Sequence, residues 1–268
     1  MPIHDDDLTR FEAEGPTPLP DTPDQGFVEN EGARVWYGAY GAGRPVVLLH
    51  GGMGNSRNFG YQVPALIDAG YRAVTVDSRG HGRSSRDARP YSYQLMASDV
   101  LVVLDRLGIE RAAFVGWSDG ACTALILADQ HPERAAGVFY FACNMDDSGT
   151  KEFVFTPVIG RCLSRHQQDY RDLSPIPGDF DAMSEAVGLM QRTQPNYTAA
   201  DLARIHVPVT IAQSEHDEFI KPEHAEYLAR TIPGAAYVLL PGVSHFAPVQ
   251  RPELFNQAVL DFVRRVYP

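Results

Sequence analysis

The chain has 268 residues, of which 44% are hydrophobic, and 23 Lys and Arg stand against 34 Asp and Glu for a net charge of −11. That acidity argues against a nucleic-acid footprint and against anchoring on an anionic membrane, while the apolar share is enough to fill one substantial core. No apolar run approaches the ~20 residues that cross a bilayer, and the acidic start "MPIHDDDLTRFEAEG" lacks the basic-then-apolar pattern of a secretory leader.

These features lead us to expect a cytoplasmic protein with a small-molecule substrate and neither nucleic acid nor membrane as partner. Cys122, Cys143 and Cys162 read as buried free thiols rather than a disulfide framework.

Residues 1–25 carry prolines and acids without an apolar period and are expected to form an acidic arm. From about Phe27 short apolar runs alternate with segments of helical period. "RVWYGAY" (34–40) alternates like a half-buried strand, and "PVVLLH" (45–50) is a continuous run suited to a strand covered on both faces. Runs of the same kind occupy 71–77, 111–117, 135–143, 207–213 and 235–240. Helices are expected around 58–69, 93–107, 119–130, 222–232 and 252–266. Strands alternating with helices imply βαβ units and a mostly parallel central sheet flanked by helices. Between about Asn144 and Ala200 the alternation stops, and short helical stretches such as "DAMSEAVGLMQR" replace it. The expected organisation is an arm (1–25), a core (26–144 and 201–268) and a helical cap (145–200).

"AAFVGWSDGACTALILA" is a strand, a sharp turn from Gly116 to Gly120, and a helix. Gly-x-Ser-x-Gly in that setting raises a serine hydroxyl, here Ser118, at the start of a helix, where the dipole and free N–H groups favour developing negative charge. Upstream, "VVLLHGGMGNS" (46–56) runs a buried strand into a glycine-rich loop. Its Gly52 N–H, with Met53 the second choice, pairs with the N–H of Asp119 as an oxyanion hole. No Gly-Lys-Ser/Thr follows, so a phosphate loop is disfavoured, and His50 reads as a structural hydrogen-bonder.

A serine hydroxyl needs a base, and the base needs an acid to orient it. Asp217 in "SEHDEFIKP" follows a late buried strand, and His245 in "VSHFAP" follows the last one. The chain order Ser, Asp, His, each on a turn at a strand's C-terminal end, is that of a hydrolase triad. His216 beside Asp217 finds no second ligand at metal spacing, so no metal is assigned.

The motifs "HGGMG", "DSRGHGRSS", "GWSDG", "HDEFIKP" and "SHFAP" resemble those of the α/β-hydrolase fold superfamily from about residue 27 to the C-terminus. That resemblance implies its fold, with a helical cap inserted after the sixth strand, and selects Asp217 over the neighbouring Glu215 and Glu218 as the acid. It implies structural roles for Arg79 and His81 and no cofactor. The serine at the elbow disfavours haloalkane dehalogenases and most epoxide hydrolases, whose equivalent residue is aspartate.

The expected activity is hydrolysis of a small carboxylic ester, amide, thioester or lactone through an acyl-enzyme on Ser118. Rival readings are carbon–carbon bond hydrolysis, cofactor-free perhydrolysis, a lyase of the hydroxynitrile type, and a ligand receptor on the same fold.

Asp119, directly after the nucleophile, is chemically awkward because its charge opposes an oxyanion. One reading places its side chain in water or against a base at a helix start. The other has it bind a cationic substrate group, since "GWSDG" is similar to the elbow of the valacyclovirase-like, biphenyl-hydrolase-like branch. Met53 and Asn144 join Asp119 as expected substrate contacts. Phe153, Phe155, Met183, Met190 and Tyr197 are expected either to line an apolar pocket or to pack the cap onto the sheet.

Overall fold

The computed structural model describes residues 7–268, so part of the expected N-terminal arm lies outside the described residues. In chain order the elements begin with α1 (Leu8–Glu14), β1 (Gln25–Asn30), β2 (Ala33–Tyr40), β3 (Arg44–Leu49), α2 (Gln62–Asp68), β4 (Tyr71–Val76), α3 (Tyr93–Arg106), β5 (Ala112–Trp117), α4 (Asp119–Gln130) and β6 (Ala135–Phe141). Then come α5 (Pro157–Leu173), α6 (Phe180–Thr193), α7 (Ala199–Leu202), β7 (Val209–His216), α8 (Pro222–Thr231), β8 (Ala236–Ser244), α9 (Ala247–Gln250) and α10 (Pro252–Val266).

The strands form one sheet in the order β1-β2-β4-β3-β5-β6-β7-β8. β1, β2 and β4 pair antiparallel, and every later neighbour pairs parallel. This is the mostly parallel, helix-flanked sheet expected from the sequence. The central strands β5 and β6 are buried along their whole length, as sheets covered by helices on both faces require.

Two apolar clusters fill the space on either side of the sheet. One gathers Val47, Phe114, Leu125, Ile126 and Val138 under α3 and α4; the other gathers Val46, Leu48, Phe139, Phe141 and Phe255 under α10. Local signals explain the helix starts. The Ser92 hydroxyl accepts the Leu95 N–H at 3.1 Å, and Pro222 and Pro252 open α8 and α10, where a missing N–H costs no helical bond.

Besides the four-residue α9, β1 and α1 went unread in the sequence. β1, "QGFVEN", is an edge strand with one exposed face that carries Phe27 and one covered face on which only Val28 is large and apolar, so no apolar alternation marks it; Glu31 and Gly32, both at positive φ, close its hairpin to β2. α1 lies in the expected arm and is seven residues long, too short to show a period, yet it buries Leu8 and Phe11.

Between β6 and β7 the described chain carries α5, α6 and α7, and its one pairing is an isolated bridge, Thr150 to Ile220. Among the described residues no helix is long and apolar enough to cross a membrane.

Candidate active site

The turn between β5 and α4 is as tight as the glycines imply. A Cβ on Gly116 would lie 2.4 Å from the Gly120 carbonyl oxygen and the Ala121 Cα, and one on Gly120 would lie 2.1 Å from the Leu49 oxygen. Ser118 between them has φ 54° and ψ −122°, a conformation an L-residue adopts only when its surroundings impose it. Its N–H is anchored on the Phe141 carbonyl at 2.9 Å, and its own carbonyl receives the Ala121 N–H at 2.7 Å. Among the described residues the Ser118 hydroxyl makes no hydrogen bond.

The glycine-rich loop after β3 passes over this turn. A Cβ on Gly51 would be 3.2 Å from the Ser118 Cβ and 3.8 Å from its Oγ. The N–H groups of Gly52 and Asp119 take no backbone acceptor among the described residues, so both are free to donate. Met53 has φ 63° and is half-buried against the apolar cluster beneath α6.

After β7 and β8 the two remaining predicted residues meet. His245 Nδ1 lies 2.9 Å from Asp217 Oδ2. A carboxylate can only accept there, so Nδ1 carries the proton and Nε2 is left as the basic nitrogen. Asp217 Oδ1 is held in turn by the N–H groups of Phe219 (2.9 Å) and Ile220 (2.8 Å). The imidazole packs edge-on to Phe219 at 4.7 Å and lies 6.2 Å from the Trp117 indole, next to Ser118 in the chain. Burial works against the imidazolium, but Asp217, Glu218 and Asp119 outweigh it and raise the His245 pKa above its ordinary value.

Asp119 corrects one expectation. Its side chain is neither in water nor against a base: it is buried, accepting the Tyr93 hydroxyl at 2.9 Å and the Gln191 amide at 3.2 and 3.0 Å. Burial pushes its carboxyl pKa up, opposed by those two donors and by His245. A Cβ on Gly52 would be 2.6 Å from Asp119 Oδ2 and 2.7 Å from Gln191 Nε2, so this group stands directly beside the glycine-rich loop after β3.

Asn144 is buried nearby, but its amide donates to the Asp146 carbonyl at 2.9 Å. The apolar-pocket expectation is corrected too. Phe153 and Phe155 are 63% and 61% exposed, while Met183 and Met190 are buried in the cluster under α3 and α4 with Tyr197 packed against it.

The structural assignments for His50, Arg79 and His81 have visible partners. His50 Nε2 accepts the Ser78 N–H at 3.0 Å, Arg79 forks onto Asp99 at 2.7 and 2.6 Å, and His81 Nδ1 contacts the Arg79 carbonyl at 3.0 Å.

Sequence reasoning missed Tyr93 and Gln191, and weighed Glu218 only as a rival to Asp217. Gln191 is an ordinary polar residue of an amphipathic helix and carries no signal of its own.

With this geometry in view, the relatives are informative. A family model described as alpha/beta hydrolase fold matches residues 44–148. A 2-hydroxy-6-oxononadienedioate/2-hydroxy-6-oxononatrienedioate hydrolase of Paraburkholderia phymatum is 30% identical over 267 residues, covering 86% of this chain and 91% of that protein. The chain therefore belongs to the α/β-hydrolase fold family.

Epoxide hydrolase B of Mycobacterium tuberculosis is 46% identical over 95 residues, which is 35% of this chain and spans only 27% of that protein. Among solved structures, Est816, described as an N-acyl homoserine lactone degrading enzyme, superposes with a TM-score of 0.71 at 27% identity, covering 88% of this chain and all of that one.

Proposed function

We propose that the protein is a serine hydrolase of small carboxylic esters, thioesters, amides or lactones, working through an acyl-enzyme on Ser118. The observation that carries this reading is the 2.9 Å pairing of His245 Nδ1 with Asp217 Oδ2 at the sheet end where Ser118 occupies its strained turn. Ser118 Oγ attacks the substrate carbonyl while His245 Nε2 takes its proton, and the N–H groups of Gly52 and Asp119 stabilise the oxyanion. His245 returns the proton to the leaving group. It then activates a water that releases the acid and regenerates Ser118. Helices α5 to α7 act as the cap over this site, and the N-terminal segment packs on it through α1.

A preference for amino-bearing substrates is the finer part of the proposal. Asp119 receives only neutral donors among the described residues, so a substrate ammonium finds a buried negative charge once it displaces the Gln191 amide. A second reading, hydrolysis of an oxo-dicarboxylate carbon–carbon bond by the same triad, draws its support from the Paraburkholderia relative.

The test is steady-state hydrolysis of two matched p-nitrophenyl esters, one α-amino acyl and one its des-amino twin, by wild type, Ser118→Ala and Asp119→Asn. Ser118→Ala is expected to lose at least ~10³-fold in kcat/KM, and a fluorophosphonate probe to add its mass to wild type alone. Asp119→Asn is expected to remove mainly the advantage of the amino ester. Undiminished turnover by Ser118→Ala sinks the acyl-enzyme mechanism.

A further inference from the structure

Asp217 is not the only carboxylate that grips His245. The next residue, Glu218, is half-buried, and its Oε2 accepts the backbone N–H of His245 at 2.9 Å. Two consecutive acids after β7 thus hold the ring and the main chain of one histidine. A neutral acceptor would suffice to anchor an N–H group. A carboxylate in a partly dry place carries a desolvation cost that an amide would not, and burial indeed pushes the Glu218 carboxyl pKa up despite its bonds to His245.

The charge has a use only if the ring becomes positive, and that happens when Ser118 gives up its proton. We infer that Glu218 is a positioning residue for the proposed general base: it clamps the His245 backbone and adds a second negative charge that favours the imidazolium. This rests on the serine-hydrolase reading for its purpose but not for its physical content.

The charges facing the imidazole come from three segments. Asp217 and Glu218 lie on the β7–α8 loop, and Asp119 heads α4. Lys151, on the segment leaving β6, donates to the Asp217 carbonyl at 2.6 Å. The rings against it, Phe219, Trp117 and Phe246, are uncharged. Neutralising Glu218 leaves Asp217 and Asp119 to favour the imidazolium, so the His245 pKa falls without collapsing.

The experiment compares Glu218→Gln and Glu218→Ala with wild type. The readouts are the pH profile of kcat/KM on a p-nitrophenyl ester and a nitrogen-15 NMR titration of the His245 ring in the Ser118→Ala background. Thermal melts establish that each variant is folded. Glu218→Gln is expected to shift the acid limb and the NMR midpoint down by roughly 0.5–1 pH unit, with a severalfold loss on the plateau. Glu218→Ala should show the same shift with a larger plateau loss, because the His245 N–H also loses its acceptor.

An acid limb and NMR midpoint that stay at the wild-type position in Glu218→Gln overturn the inference and leave Glu218 a loop anchor. If wild type cleaves no ester, the hydrolase reading fails, yet the NMR titration still decides the role of Glu218.

Discussion

Two sets of buried histidines sit at the same end of the sheet and are pushed in opposite directions. His245, on the loop after β8, is raised toward the charged form by three carboxylates despite its burial. His50 and His81, on the loops after β3 and β4, and His166 of α5 are equally enclosed and all lowered, His81 to about 3 and His166 to about 4.

Burial leads the causes in every case, so burial is not what separates them. The aim of the nearest carboxylate is. Asp217 points one oxygen at the His245 ring, whereas Asp77, which faces His50, already serves the N–H groups of Ser56 and Arg83 and the Arg83 guanidinium. His81 and His50 also oppose each other as like charges, with ring centroids 5.3 Å apart. Asp169 favours a charged His166, but His50 and Arg165 oppose it. In the proposed mechanism His245 takes a proton during turnover, whereas burial keeps the other three on the neutral side.

The largest effect that tests this contrast is at the acid of His245. Asp217→Asn removes the charge and the proper tautomer together, and a loss of about 10⁴-fold in kcat is expected. His81→Asn, which keeps an N–H for the Arg79 carbonyl, should leave most turnover in place. Similar losses in the two variants would erase the distinction. The raised His245 pKa also puts the acid limb of wild-type kcat/KM above the ordinary histidine value of about 6.5.

Acid stability is the next measure. The folded pKa values of His81 and His166 lie below the unfolded value of about 6.5, so as pH falls past that point the unfolded chain binds protons that the native state refuses. Their stabilisation is complete above about pH 6.5 and is lost progressively toward pH 4 and below. Each contributes a slope of up to ~1.4 kcal/mol per pH unit in that window. Urea melts at pH 7, 6 and 5 should show His81→Asn losing stability less steeply than wild type. Parallel slopes would mean that His81 takes up its proton as readily in the fold as in the unfolded chain.

The smallest effect concerns Asp119, a buried carboxylate near His245 but not bonded to it. Gln191→Ala removes one of its two side-chain donors and should cost about 1–2 kcal/mol in urea unfolding. A cost near zero would show that water replaces the amide, and that α6 does not close over this carboxylate.

Much of the site could be read from local pattern. The glycines around Ser118, the order of Ser118, Asp217 and His245, and their positions just beyond β5, β7 and β8 all come from strand-then-turn signatures a few residues long. The acids around the end of β7 were a different matter. Glu215, Asp217 and Glu218 sit within four positions at the end of β7 and in the turn after it, and spacing does not divide their work. In the fold, Glu215 accepts the Gly242 N–H at 2.7 Å, Asp217 holds the His245 ring, and Glu218 holds its main chain. Phe153 misled for a similar reason: an aromatic residue in an irregular segment says nothing about which way it faces, and here it stacks on Phe219 at the surface.

The sequence by itself determined the alternation of strands and helices, the parallel sheet that follows from it, and the turns that bear Ser118, Asp217 and His245, the proposed nucleophile, acid and base. These depend on hydrophobic period and turn chemistry within a dozen residues. Only the tertiary structure decided the charge state and partners of the buried groups. Asp119 meets a Gln191 that is 72 positions away, and His81 meets His50 and His166 from two other segments. Desolvation and Coulomb energy depend on distance in space, and the chain sets those distances only when it has folded.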